Sequence, residues 1–378
     1  MPDKYAQSLA LHKKHGGKLE VKSKVAIKTR RDLSLAYTPG VAGVSRAVAK
    51  SASLAKIYTL KKNSVAVVSD GSAVLGLGNI GPYGAIPVME GKAALFKEFA
   101  NIDAYPICLD TQDAEEIIRT VKYLAPVFGG INLEDISAPR CFEIERRLQK
   151  ELTIPVLHDD QHGTAVVVLA ALLNALKLRG NRQKTVKIVV NGAGAGGSGV
   201  VELLLAYGFK NIVMCDSRGV IYSGRPGLNP EKTKIAKRTN RLKQKGNLKD
   251  ALVQADVFIG LSVARLLTED MVRSMARRPI VFAMANPEPE ILPNLAKRAG
   301  AFIVATGRSD FPNQVNNVLA FPGIFRGALD NNVRQITAKM LMAAARNLAK
   351  IVKKPDQNNI LPNPFDKRVV PAVAQAIK

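Results

Sequence analysis

Between residues 185 and 216 the chain runs through an apolar stretch, a glycine-rich turn, an apolar helix-length stretch and a second short apolar run. Residues 186–190 and 212–215 are β-branched and short, as strands are, and 197–207 has the length of a helix. A strand, tight turn, helix and strand in that order require the second strand to lie parallel to the first, with the helix as the crossover. Further apolar runs at 257–261, 280–285 and 302–305 continue the alternation. The second half is therefore expected to be an open, doubly wound parallel sheet.

The first half alternates too. Strands are expected at 64–69 (ending at Asp70-Gly71), 105–109, 127–132 and 155–157, with helices at 87–100 (Pro87 in its first turn), 113–124 and 139–151. A long apolar helix at 164–178, ended by Arg179-Gly180, is expected to cross between domains. Helices at 323–329 and 337–352 precede a Pro-punctuated tail. The expected fold is α/β with two domains. Residues 1–160 form a smaller α/β substrate and metal domain. Residues 161–378 form a Rossmann-like nucleotide-binding domain, whose helical tail from about 325 packs back on the first. No internal repeat or low-complexity region is present.

The chain of 378 residues is long enough for two cores without disulfides. Cys108, Cys141 and Cys215 are odd in number and far apart, which fits neither a disulfide framework nor a CxxC site and suits a reducing cytoplasm. The apolar stretch 164–178 contains Asn174 and is too short to cross a bilayer. The N-terminus lacks the apolar segment of a secretory signal; its lysines weakly resemble a transit peptide but run on into a helix. Fifty-five basic against thirty-one acidic side chains give +24, which attracts anionic metabolites and nucleotides. A basic nucleic-acid-binding protein is the competing class, but the charge is spread end to end without aromatic interleaving, so specific nucleic-acid binding is not expected. The densest basic stretch, 231–250, is expected to be an exposed helix, with phosphate binding as the alternative.

The glycine turn is Gly192-Ala193-Gly194-Ala195-x-Gly197, and Asp216 follows at the end of the next strand. Glycines here permit the tight turn and close approach of a pyrophosphate, which the helix N-terminus attracts. Asp216 could accept the adenosine ribose hydroxyls and so favours NAD; Arg218, Lys232 or Lys234 could instead receive a 2′-phosphate, so NADP stays open. Asn191, Asp216, Ser262, Asn286 and Thr306 all fall at expected strand ends, where ligands bind in such sheets. Two acidic doublets, Glu134-Asp135 and Asp159-Asp160, bracket the helix at 139–151. Carboxylates alone favour Mg²⁺ or Mn²⁺, whereas the flanking His158 and His162 would favour zinc or iron.

YTPGVA at 37–42, SDGSAVLGLGNIGPYGAIPVMEGKAALFK at 69–97, INLEDISAPRCFEIE at 131–145, IPVLHDDQHGTAVV at 154–167, MANPEPEI at 284–291 and ATGRSDFPNQVNNVLAFPGIFRGALD at 305–330 together resemble malic enzymes of the short bacterial type. The resemblance implies metal-dependent oxidative decarboxylation of L-malate to pyruvate and carbon dioxide, with reduction of NAD or NADP and Mg²⁺ or Mn²⁺ as the metal. It also assigns roles. Lys92 matches the base that deprotonates the C2 hydroxyl, a task that requires its pKa to be lowered towards neutrality. Tyr37 matches the acid that protonates C3. Glu134, Asp135 and Asp160 match the metal ligands, and Asp159 a partner of Lys92. Asn286 and Asn317 match positions touching substrate or the nicotinamide end, with Asn316 a close competitor for the second. Ala73 stands where larger eukaryotic forms carry an arginine, which leaves the anchor of the second carboxylate unassigned. Gln161-His162 departs slightly from the usual pattern. A homodimer or larger homo-oligomer is implied, and a stand-alone enzyme is expected because the phosphotransacetylase-like extension of the long bacterial forms is missing. A malolactic enzyme, releasing lactate, would use the same residues.

Overall fold

The computed structural model describes residues 3–180 and 185–378. Four helices open the chain: α1 (Lys4–His15), α2 (Arg30–Ala36), α3 (Val41–Lys50) and α4 (Ala55–Tyr58). Among the described residues no hydrophobic side chain before Val65 is buried, and Tyr5, Leu9, Leu33, Leu35 and Tyr37 are exposed. The first sheet follows as β1 (Ser64–Ser69), α5 (Gly81–Ala100), β2 (Asp103–Cys108), α6 (Ala114–Leu124), β3 (Gly130–Leu133), α7 (Arg140–Glu151) and β4 (Val156–His158). Its strands are all parallel, in the order β2-β1-β3-β4. Helices cover both faces, so β1 is buried at every position and reads as an unbroken apolar run.

Helix α8 (Asp159–Arg179) leaves β4 without a loop and leads to the second sheet. That sheet contains β5 (Lys187–Asn191), α9 (Ala195–Tyr207), β6 (Asn211–Asp216), β7 (Gly219–Val220), α10 (Pro230–Arg238), α11 (Leu248–Leu252), β8 (Val257–Gly260), α12 (Glu269–Arg273), β9 (Ile280–Ala283), α13 (Pro293–Arg298) and β10 (Ile303–Thr306). Strand order is β10-β9-β8-β5-β6-β7, parallel except for β7. The chain closes with α14 (Phe321–Asp330), α15 (Ala338–Ile351) and α16 (Val369–Ala374). Phe321 and Phe325 of α14 pack edge-on against Phe96 of α5, with ring centroids 4.7 and 5.4 Å away. The C-terminal helices thus share a core with the first sheet.

Each sheet reverses its winding beside its first strand: between β1 and β3 in one, between β5 and β8 in the other. Loops diverge at such a point and leave a crevice at the carboxyl ends of the strands. Asp70, Glu134 and Asp135 lie at the first crevice, and Asn191, Gly192 and Ser262 at the second.

Several boundaries differ from the sequence expectations for definable reasons. Helix α5 starts at Gly81, six residues before Pro87, with Pro82 in its first turn; Pro87 sits inside the helix, and its carbonyl accepts Lys18 Nζ at 2.7 Å. Helix α8 starts at Asp159, so the second acidic doublet forms its first turn, where carboxylates suit the positive end of the helix dipole. At 21 residues α8 passes the length and composition test for a membrane span, contrary to the sequence expectation, yet it is packed within the core against α9 and α15. A helix buried on all sides is apolar all round for that reason. The basic stretch 231–250 is not one helix. Asn240 interrupts it, donating to the carbonyls of Ile221 and Gln244 and accepting the Gln244 N–H.

Candidate active site

Strand β1 delivers Asp70, whose buried carboxylate accepts Arg140 Nε and Nη2 at 3.1 and 2.8 Å on one oxygen and Ser72 on the other. Ser72 Oγ in turn accepts the Ser137 N–H, and the Ala73 N–H donates to the carbonyl of Asp135. The loop after β1 is therefore tied to the loop after β3. Asp135 itself adopts φ +53°, a left-handed conformation that Asp tolerates better than most residues. From the first turn of α8, Asp160 Oδ2 accepts the Asp135 N–H at 2.9 Å. Oxygens of Glu134, Asp135 and Asp160 then lie within 4.8 Å of one another.

Lys92 enters from α5. Its Nζ stands 2.6 Å from Asp159 Oδ2, 2.8 Å from Glu134 Oε1 and 4.2 Å above the Phe321 ring. Lys92 thus bridges Glu134 and Asp159, with Asp135 and the half-buried Asp160 beside them. Burial and then the neighbouring carboxylates push Asp135 up to about 9. Burial, only partly offset by Lys92, raises Glu134 to about 7 and Asp159 and Asp160 each to about 6. The lysine moves the other way from the expectation: burial disfavours its charge, but Asp159 and Glu134 outweigh burial and hold its pKa above the ordinary value.

The acidic oxygens fit a cation. Asp135 Oδ2, Asp159 Oδ1 and Asn132 Oδ1 are buried without a hydrogen-bond partner, an arrangement that costs free energy unless something positive meets them. A set of three carboxylates suits a hard divalent ion. The histidines are not in the set. Glu145 accepts His162 Nε2, Gln161 Nε2 and the His158 N–H, and burial lowers the pKa of His158 to about 4, so its ring stays neutral. The close group of ligand atoms contains neither histidine.

The glycine turn abuts this cluster. Gly192 has φ +111° and donates to the carbonyl of Cys215, while a Cβ at Gly197 would overlap the Gly192 carbonyl. A Cβ at Gly194, the N-cap of α9, would meet nothing within 4 Å, so the turn is open on that side. Ala193 is partly buried, and Ala195, the first residue of α9, packs against the core of the first sheet. A Cβ at Gly196 would lie 3.4 Å from the backbone oxygen of Asp160, and one at Gly199 would collide with the Gln161 backbone. Glycine lets α9 press its N-terminal turn onto the first turn of α8.

Asn286 is bracketed by Gly76 from the loop after β1 and by Gly307, whose Cβ would lie 3.0 Å from Asn286 Nδ2. Asn317 Cβ and Asp159 Oδ1 both close on Gly163, which places Asn317 beside the carboxylate cluster. Asn316 instead uses Oδ1 to cap the short 3-10 turn Asn317–Leu319. Tyr37 stands apart. It is 65 % exposed, and among the described residues no hydrogen bond joins it to Lys92 or the carboxylates. Asp216 is not free either: its carboxylate is occupied by Arg225, Lys232 and the Arg218 N–H.

Sequence reasoning missed several residues here. Asn132 Nδ2 donates to Glu134 Oε2 at 2.9 Å, Arg140 grips Asp70, and Glu290, fully buried, accepts the N–H groups of Ser262 and Ala285 at 3.0 Å each. Asn132 could have been found from its place in an otherwise apolar strand. Arg140 carries no local signal because Asp70 lies 70 positions away, and Arg225, nine positions after Asp216, sits in a loop with no periodic pattern.

Residues 16–149 match the family described as malic enzyme, N-terminal domain, and residues 161–377 the one described as malic enzyme, NAD binding domain. The chain is similar to the bifunctional malic/malolactic enzyme of Bacillus subtilis, with 58% identity over 98% of this chain and 91% of that one. It is similar to the NAD-dependent malic enzyme of Geobacillus stearothermophilus, with 57% identity over 96% of this chain and 76% of that one. Among solved structures, an NAD-dependent malic enzyme from Thermotoga maritima superposes with a TM-score of 0.95 at 53% identity, covering 98% of each chain.

Proposed function

The chain belongs to the malic enzyme family, and from that membership we propose that it converts L-malate and NAD(P)⁺ to pyruvate, carbon dioxide and NAD(P)H. The observation that carries the reading is the meeting of Glu134, Asp135, Asp160 and Lys92 beside the open face of the glycine turn.

Glu134, Asp135 and Asp160 would hold Mg²⁺ or Mn²⁺, which supplies Lewis-acid stabilisation of negative charge at the C2 oxygen of the substrate. Gly192, Ala193, Gly194, Ala195 and Gly197 would hold NAD(P), which supplies the hydride acceptor. Lys92 takes the proton of the C2 hydroxyl as hydride leaves C2. To do so it must first be neutral, a state that Asp159 and Glu134 at 2.6 and 2.8 Å oppose in the unliganded protein; a cation held by Glu134, Asp135 and Asp160 would lower the lysine's pKa by repulsion. The C3–C4 bond then breaks to release carbon dioxide, and C3 of the enolpyruvate receives a proton. Asn286 and Asn317 offer uncharged donors and acceptors to the carboxylates and the nicotinamide ribose.

Tyr37 as the donor of the C3 proton calls for a homodimer. Its segment exposes Leu33, Leu35 and Tyr37, apolar surface suited to cover by a second copy, which would bring the tyrosine of one copy to the cleft of the other. Mixing Lys92→Ala with Tyr37→Phe protein should restore activity that neither has alone; no recovery from a verified mixed dimer would refute delivery of Tyr37 to the partner's cleft. The free thiols Cys108, Cys141 and Cys215 accord with a reducing cytoplasm.

The test is growth of 340 nm absorbance from malate and Mn²⁺ with either cofactor, abolished by EDTA. No reduced cofactor from malate under any of these conditions would overturn the reading. A second reading is favoured by the bifunctional relative: lactate formed with no net reduced cofactor would make the malolactic reaction the main one.

A further inference from the structure

The cofactor reading leaves its adenosine end undetermined, and the surroundings of Asp216 bear on it. In nucleotide-binding sheets of this kind the acid after the second strand accepts the ribose hydroxyls. Here that acid has no acceptor capacity left. Oδ1 accepts the Arg218 N–H and Arg225 Nη1, each at 2.9 Å, and Oδ2 accepts Arg225 Nη2 at 2.5 Å and Lys232 Nζ at 2.7 Å. A carboxylate offers about four lone-pair sites, and all are used.

The cations are anchored unequally. Arg225 is tied down further by the carbonyls of Gly219 and Val220, and its side chain is 9% exposed. Lys232, on the first turn of α10, is 24% exposed and donates to Asp216 alone, so two of its three N–H donors are free. The exposed guanidinium of Arg218 has no ion-pair partner among the described residues. Against one carboxylate the corner therefore holds Arg225 and Lys232, with Arg218 beside it. Such a corner repels nothing anionic and offers a neutral hydroxyl no acceptor.

We infer that this corner receives the 2′-phosphate of NADP, so that NADP binds more tightly than NAD, with Lys232 and Arg218 as its direct contacts and Arg225 as the residue that withholds Asp216 from the ribose. The inference rests on the reading proposed above, that the glycine turn binds a nicotinamide dinucleotide.

Calorimetric titration of the full chain with 2′,5′-ADP and with 5′-AMP, which lack the nicotinamide, tests it without turnover. The expected result is binding of 2′,5′-ADP at least tenfold tighter than 5′-AMP at low salt. That ratio should fall at least fivefold in Lys232→Gln and further in Lys232→Gln with Arg218→Ala, both exposed enough to leave folding intact. Equal binding of the two probes, tighter binding of 5′-AMP, no binding of either, or an unchanged ratio in the variants would each overturn it. Malate-dependent reduction of NAD in that event would show that the dinucleotide reading survives while the phosphate assignment fails.

Discussion

Acidic side chains meet opposite fates at two sites in this molecule. At the carboxyl ends of the first sheet, four carboxylates share one ammonium, and Glu134, Asp135, Asp159 and Asp160 all have raised pKa values. At the end of β6, one carboxylate is shared by two cations, and the hydrogen bonds from Arg225 and Lys232 overcome burial to hold Asp216 well below the usual carboxylate range. The first site is short of positive charge and the second has a surplus. On the readings proposed above, the first sign suits a divalent cation and the second a phosphate. The overall charge of +24 says nothing about either, since the deciding groups are buried and local.

The contrast is tested most severely by removing Lys92, the ammonium paired with Glu134 and Asp159, from the acidic site. Lys92→Ala should lower malate turnover by about 10³-fold or more, in line with the loss of a general base, while calorimetric cofactor binding stays nearly unchanged. Retention of most turnover would show that Lys92 serves only to offset the carboxylates. At the basic site the equivalent removal acts on stability. Asp216→Asn leaves Arg225 buried without its anionic partner, and breaking such a pair costs about 3 kcal/mol, to be read as a lower denaturation midpoint. A midpoint within error of the parent would mean that solvent reaches the pair.

Asp135→Asn should do the reverse in metal-free protein. The folded pKa of Asp135 is about 9 against an unfolded value near 4, so the folded state binds more protons across that interval and loses stability as pH rises through it. Metal-free protein should therefore unfold more easily at pH 8 than at pH 5. The asparagine variant should have a higher denaturation midpoint than the parent at pH 8 and be indistinguishable from it near pH 4. Mn²⁺ should stabilise the parent more at pH 8 than at pH 5, because protons compete for the same oxygens, and should do little for the variant. A parent whose metal-free stability climbs between pH 5 and 8 would contradict the raised pKa values.

How far this was legible in the sequence differs between the two sites for a physical reason. The parallel strands, the glycine turn and the acidic doublets could be read because each is a local pattern, and the loops at strand ends had to come together once the winding was right. The state of Lys92 could not be read, since it depends on Asp159 lying 67 positions away in the chain. Nor could the state of Asp216: its acid was visible at the end of β6, but Arg225 lies in a loop after the two-residue strand β7, which is too short to leave a period in the sequence. Two helices start earlier than their local signals suggest: Pro87, expected in a first turn, sits inside a helix that Gly81-Pro82 opens, and Asp159-Asp160 form the first turn of α8.

The smallest effect probes the turn that lies between the two sites. Gly192 reaches towards β6 through the Cys215 carbonyl, and Gly196 faces the Asp160 backbone, so a side chain added to this turn reports on what each side can admit. At Gly197 a methyl group would overlap the Gly192 carbonyl whether or not a nucleotide is bound, so Gly197→Ala should lower the denaturation midpoint of the protein alone. At Gly194 the same methyl would meet only open space, and the backbone there is extended, with φ −84°. Gly194→Ala should thus leave the midpoint unchanged while weakening dinucleotide binding by about tenfold, roughly 1.4 kcal/mol, because the methyl group occupies the approach of the pyrophosphate to the backbone. Equal losses of stability in both variants would mean that the open face at Gly194 is a matter of packing, and the two sites would then have no nucleotide joining them.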